Sequence, residues 1–131
     1  MKKSDITNHN DIEKLVNSFY EKVNVDPVLS PFFQHVRWDK HLPIMYKFWE
    51  NVLFYTGDYS GNPMLQHQLL HIKKHLTENH FSRWITTFCS VVDENFKGTQ
   101  ATLIKERAKS ITQIMIIKIL NQDLLPITKK L

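Results

Sequence analysis

His41–Trp49, HLPIMYKFW, and His67–Trp84, HQLLHIKKHLTENHFSRW, decide how this chain is read. In each, apolar residues recur at steps of three and four, the spacing that gathers side chains on one face of an α-helix. The first run continues through Met45, Phe48, Trp49, Val52 and Leu53 and stops at Thr56-Gly57; the second passes into Phe81, Trp84, Ile85, Phe88, Val91 and Val92. This period prevails over strand-like alternation, and the chain has only three glycines. The expectation is an all-α fold of five or six helices.

Outward from these runs the same period persists. Asn10 followed by Glu13 resembles a capping box, and Ile12, Leu15, Val16, Phe19, Tyr20 and Val23 form a stripe that Pro27 limits. Leu29–Trp38, with Pro31 and the Phe32-Phe33 pair, reads as a corner or short helical turn. Asp39 is the expected cap of the next helix, and Pro43 falls early enough in it to be tolerated. GDYSGNP, Gly57–Pro63, reads as a loop whose proline opens a short helix bearing His67 and His71. Thr77 is the expected cap of the helix that holds Trp84. Gly98 separates that helix from a last one, with Leu103, Ile104, Ala108, Ile111, Met115 and Lys118 on one face until the Asn121–Pro126 region.

Bulk properties narrow the function. A chain of 131 residues supports one core, so residues 1–131 are expected to form a single domain with its core at about 10–122. Eight Phe, four Tyr and three Trp supply enough apolar bulk to line a ligand pocket. Seventeen Lys and Arg against thirteen Asp and Glu give a net charge of +4, but the basic residues are scattered in pairs such as Lys73-Lys74 and Lys129-Lys130. No clustered basic face suited to nucleic acid results. The single Cys89 excludes an internal disulfide and any multi-cysteine metal site, which fits a reducing cytosol. MKKSDITNHN lacks the apolar run of a secretory signal, and no stretch approaches the roughly 18 apolar residues of a membrane span, so a cytoplasmic location without membrane contact is expected.

The chemistry-bearing residues are histidines and aromatics. A helix that directs one His into a cavity, followed by a second His from another segment, is how a chain grips a flat iron cofactor from both faces. Such a ligand must be a neutral imidazole whose other nitrogen is held by a carbonyl or carboxylate. His67, His71 and His75 succeed one another at four-residue steps, so periodicity does not choose among them. The same ladder also admits a rival, a helical protein that binds zinc or nickel without haem.

FYEKV with Tyr20, PFF with Phe32 and Phe33, HLPIMYKFW, GDYSGNP, HFSRW and the terminal ERAKSI helix occur in an order that resembles a group III truncated haemoglobin, a bacterial 2-on-2 globin. The resemblance spans about Ile12 to Ile119. It implies a two-on-two helical sandwich around haem b, with the proximal iron ligand four residues after a loop proline, as in Pro63-Met-Leu-Gln-His67. His71 is the second candidate. It also implies a distal side on which Tyr20 donates its hydroxyl to bound dioxygen, His41 stands at the gate, Met45 fills the adjoining apolar position and Trp84 offers its indole N–H. Phe32, Phe33, Trp49, Phe81 and Phe88 then become walls of the haem pocket and core, and Arg37, Lys73 and Lys74 are candidate partners for the haem propionates.

These residues lead to an expected function. Polar donors over an apolar site hold dioxygen tightly and release it slowly, which suits chemistry on the ligand better than bulk oxygen transport. Peroxidase-like or nitric oxide dioxygenase activity is therefore expected, with nitric oxide, carbon monoxide, cyanide and peroxide as further ligands, and a reductase to restore ferrous iron. The protein is expected to be a monomer. A gas sensor or adaptor that uses the same pocket is the remaining alternative.

Overall fold

The structure, a computed structural model, describes residues 2–57 and 59–120, the side chains of Ile72 and Lys73 excepted. Asp58 of the GDYSGNP loop and the tail with Leu124-Leu125 lie outside the described residues. The fold is all-helical. In order come α1 (His9–Val25), a 3-10 turn (Ser30–Phe33), α2 (Trp38–Phe54), α3 (Pro63–Lys74), α4 (Glu78–Asn95), α5 (Thr99–Met115) and a π-helical turn (Ile116–Leu120).

Apolar spacing explains the packing of the helices. α1 buries Ile12, Leu15, Val16, Phe19, Tyr20 and Val23, the whole stripe expected of it. It packs on α2 and α4, while α5 packs on α4 and α2. These four helices form the block that encloses the larger core, in which Phe19, Trp49, Leu53, Phe88, Val91, Val92, Ile104 and Ala108 are buried. α3 stands apart, its main helical neighbour being the π-helical turn. Beneath it a smaller core joins Leu76, Phe81, Met115 and Ile119, flanked by the half-buried Phe32, Met64 and Leu70.

The helix termini correct several local expectations. α1 begins two residues earlier than the Asn10–Glu13 pattern suggests, because the Asn8 side chain accepts the Asp11 amide. Asp39 does not cap α2: the helix starts at Trp38 behind Arg37, without a side-chain cap. Asn62 caps α3 and Pro63 is its first residue. Thr77 caps α4 as expected, and the partner that returns to the cap is the His80 side chain. Lys118 leaves the buried face that it was assigned. The π-helical turn takes up an extra residue, so the apolar face passes from Met115 to Ile119 instead.

The start of α5 relies on a distant partner. Gly98 supplies no side chain, and Asp5 caps the helix from the N-terminal segment by accepting the amides of Gln100 and Ala101 at 2.9 and 2.8 Å. Gly98 has φ +146°, and a Cβ there would lie 2.5 Å from the Asp5 carboxyl carbon. Burial raises the affinity of Asp5 for a proton, but the amides of Gln100, Ala101 and Ile6 outweigh it and hold the carboxyl below its ordinary range.

Asp5→Ala is therefore expected to cost about 1–2 kcal/mol in a denaturant titration at neutral pH. Because the folded carboxyl binds its proton more weakly than the unfolded one, this contribution is complete above the usual carboxylate range. It is lost as pH falls through the lower folded value, so variant and parent should converge in acid. Phe88→Ala empties the centre of the larger core and is expected to cost about 3–5 kcal/mol in the same measurement.

Candidate functional site

Tyr20 and His41 are the first pair that the fold brings together. Tyr20 projects from the buried stripe of α1, and His41 sits in the first turns of α2. Packing of these helices brings the His41 Nε2 within 3.2 Å of the Tyr20 hydroxyl oxygen. Burial pushes the Tyr20 phenol well above its usual titration range, so it remains a protonated donor at any physiological pH. Burial first, and then the nearby His67, lower the proton affinity of His41.

Around this pair stand further rings. Phe33, from the 3-10 turn, meets the Tyr20 ring at 5.8 Å between centroids. Trp38 is stacked on Phe33 at 6.0 Å, tilted against Tyr20 at 5.1 Å and edge-on to His41 at 5.6 Å. Sequence reading passes over Trp38, although its place three residues before His41 sets both on one helix face. Met45, one turn beyond His41, is half-buried against the larger core.

The α3 histidines differ in their hydrogen bonds. His67, half-buried on α3, has its Nδ1 2.7 Å from the Pro63 carbonyl oxygen. A carbonyl only accepts, so Nδ1 carries the proton and Nε2 keeps its lone pair. Burial depresses the proton affinity of the ring more than the Pro63 carbonyl raises it, which favours neutral imidazole. His71 has the opposite arrangement: its Nδ1 accepts the Leu76 amide at 2.8 Å, so in the neutral ring the proton sits on Nε2. His71 is buried and its ring stacks on that of His75 at 5.0 Å. Among the described residues no group of three His, Cys, Asp or Glu side chains is placed to hold a metal ion. His67 thus has the donor pattern of a haem ligand, a neutral ring oriented by a backbone carbonyl.

The remaining candidates divide between the two cores. Trp84, half-buried, is stacked on Phe88 at 5.6 Å and lies near parallel to Trp49 at 6.4 Å. Trp49 and Phe88 are buried and stack at 4.6 Å, and Phe19 meets both Trp84 and Phe88 edge-on. Phe81 is buried in the smaller core with Phe32 beside it, and the Phe32 ring packs edge-on to His80. Of the basic residues, Arg37 faces Asp39 at 3.6 Å and Lys74 donates to the Pro31 carbonyl at 2.6 Å, while the Lys73 side chain lies outside the described residues.

Comparison with known proteins shows the family. Residues 4–119 match the family model for bacterial-like globins. The chain is 29% identical over 120 residues to the group 3 truncated hemoglobin ctb of Campylobacter jejuni, a match that covers 83% of this chain and 88% of that one. The crystal structure of a group III truncated hemoglobin from Campylobacter jejuni superposes with a TM-score of 0.81 and 27% identity, over 90% of this chain and 95% of the other. The chain therefore belongs to the bacterial-like globin family, which implies a haem cofactor and a small gas ligand, and its likeness in both sequence and fold is to the group III truncated haemoglobins.

Proposed function

We propose that this globin holds haem b through Nε2 of His67 and retains dioxygen with a hydrogen bond from the Tyr20 hydroxyl, with His41 as the gate and Trp84 as a second donor. The observation that carries the reading is the hydrogen bond that orients the His67 ring. His67 on α3 has its Nδ1 bound to the Pro63 carbonyl, which leaves the Nε2 lone pair free to ligate. Haem, when bound, supplies an iron coordination position open to a diatomic gas.

The chain's own residues do the rest. Pro63 fixes the tautomer and orientation of His67, as a carbonyl partner does for a metal-bound imidazole. His71 is disfavoured as the ligand because its Nδ1 is engaged by the Leu76 amide. Tyr20, kept protonated by burial, donates toward the negative end of a polarised ligand, and its apolar surroundings strengthen that bond. Trp84, half-buried beside Phe19, carries the indole N–H that serves as the second donor. The rings of Phe33 and Trp38 supply apolar surface beside the Tyr20 hydroxyl. Retention of this kind is ill suited to oxygen delivery. It suits peroxidase-like chemistry or nitric oxide dioxygenation, with a reductase as the electron source.

Visible absorption of the purified protein supplied with haemin is the test. A Soret band retained by His71→Ala and lost or shifted in His67→Ala is expected; no band in the parent protein would end the reading. Tyr20→Phe should release dioxygen faster by about 10- to 150-fold, the range for one hydrogen bond to a charged or polarised acceptor, in stopped-flow displacement by carbon monoxide. An unchanged off-rate would remove Tyr20 from the assignment. The detoxification role predicts that the dioxygen-loaded protein consumes nitric oxide faster than free haem does.

A further inference from the structure

Four rings from three segments meet beside the candidate ligand site: Tyr20 of α1, Phe33 of the 3-10 turn, and Trp38 and His41 of α2. Trp38 touches the other three. It stacks nearly parallel on Phe33, with 18° between the planes, and presents itself to Tyr20 and to the edge of His41. As the first residue of a helix without a side-chain cap, it is held by this packing, while the Arg37 carbonyl accepts the amides of Lys40 and His41. His41 is only half-buried, so a rotamer that turns its ring outward is open to it. The 3.2 Å bond to the Tyr20 hydroxyl and the edge contacts with Tyr20 and Trp38 oppose that rotation.

We propose that Trp38 is a positioning residue for the Tyr20–His41 pair: its indole is the surface against which the His41 ring leans, and it sets how often that ring closes on the Tyr20 hydroxyl. The inference rests on the reading of Tyr20 and His41 as the ligand-facing side. Phe33 backs the indole, so the 3-10 turn, rather than α2 alone, determines the position of the gate. A closed His41 both obstructs entry and engages the hydroxyl that otherwise points to the ligand. Removing one aromatic pair contact shifts a two-position equilibrium by about three- to tenfold.

The test uses the ferrous haem-loaded protein with carbon monoxide, read by flash-photolysis rebinding and by the infrared C–O stretching bands. Parent, Trp38→Leu, Trp38→Phe, His41→Ala and the Trp38→Leu/His41→Ala double variant are compared. Leu keeps apolar bulk at the helix start, so the chain folds without the ring. In Trp38→Leu, association should rise by about three- to tenfold toward the His41→Ala value. The band that His41→Ala abolishes should weaken, and Trp38→Phe should restore it. The double variant should match His41→Ala, since Trp38 acts through His41. Independent, multiplying effects in the double variant would overturn the proposal. So would unchanged bands and rebinding in Trp38→Leu alongside a lowered melting temperature, the outcome of a purely structural role. If His41→Ala itself alters neither readout, the ligand-side assignment of His41 has failed, and the Trp38 proposal falls with it.

Discussion

The stack of Trp49, Phe88 and Trp84, with Phe19 edge-on against two of its rings, is the interaction on which the rest of this structure depends. Its members come from α1, α2 and α4, so one aromatic cluster fixes the mutual position of three helices. Aromatic rings bury large areas and resist lateral slippage once interleaved. Phe19 precedes Tyr20 directly, and Trp49 lies two turns after His41 on α2. The stack therefore determines where the Tyr20 hydroxyl and the His41 ring meet. Their 3.2 Å separation follows from packing several residues away, because neither side chain shapes the helix interface alone.

α3 obeys a different logic. It lies outside the four-helix block and rests on the smaller core of Leu76, Phe81, Met115 and Ile119. Segments with few buried contacts open at a lower free-energy cost than the body of a domain. Local hydrogen bonds compensate: Asn62 caps its start, the Pro63 carbonyl holds His67, and the Leu76 amide returns to His71 beyond a left-handed His75. Haem is the natural complement to such an element, since a ligand that binds only the folded arrangement stabilises it. On the reading proposed for His67 and Tyr20, the site has one wall in the packed block, α1 with α2, and the other in an element held mainly by local bonds.

Much of this was legible in the sequence, for identifiable reasons. Apolar period alone marks the buried faces of α1 and α4, since a stripe at three- and four-residue steps has one way to be buried. The resemblance carried by FYEKV, HLPIMYKFW and HFSRW points to the globin class, and the match over residues 4–119 bears it out. Helix termini were less legible. Asn8 rather than Asn10 caps α1, and Asp5 caps α5 from more than ninety residues away, a contact that no local pattern encodes. The change from Lys118 to Ile119 reflects a π-helical turn, which departs from the 3.6-residue period that the sequence was read with.

The histidine ladder separates the two sources most clearly. His67, His71 and His75 are equivalent by spacing, since four-residue steps place all three along one side of a helix. What distinguishes them is where each ring nitrogen points: toward the Pro63 carbonyl for His67, and toward the Leu76 amide for His71. The site of Trp38 is a similar case, a residue whose ring partners come from α1 and the 3-10 turn as well as its own helix. The sequence by itself determined the helical class and the buried stripes, because these follow from period and composition, while the haem is what the resemblance of its motifs implies. Tertiary structure alone decided which donors meet, since a hydrogen bond between helices depends on angles and distances that no one-dimensional spacing contains.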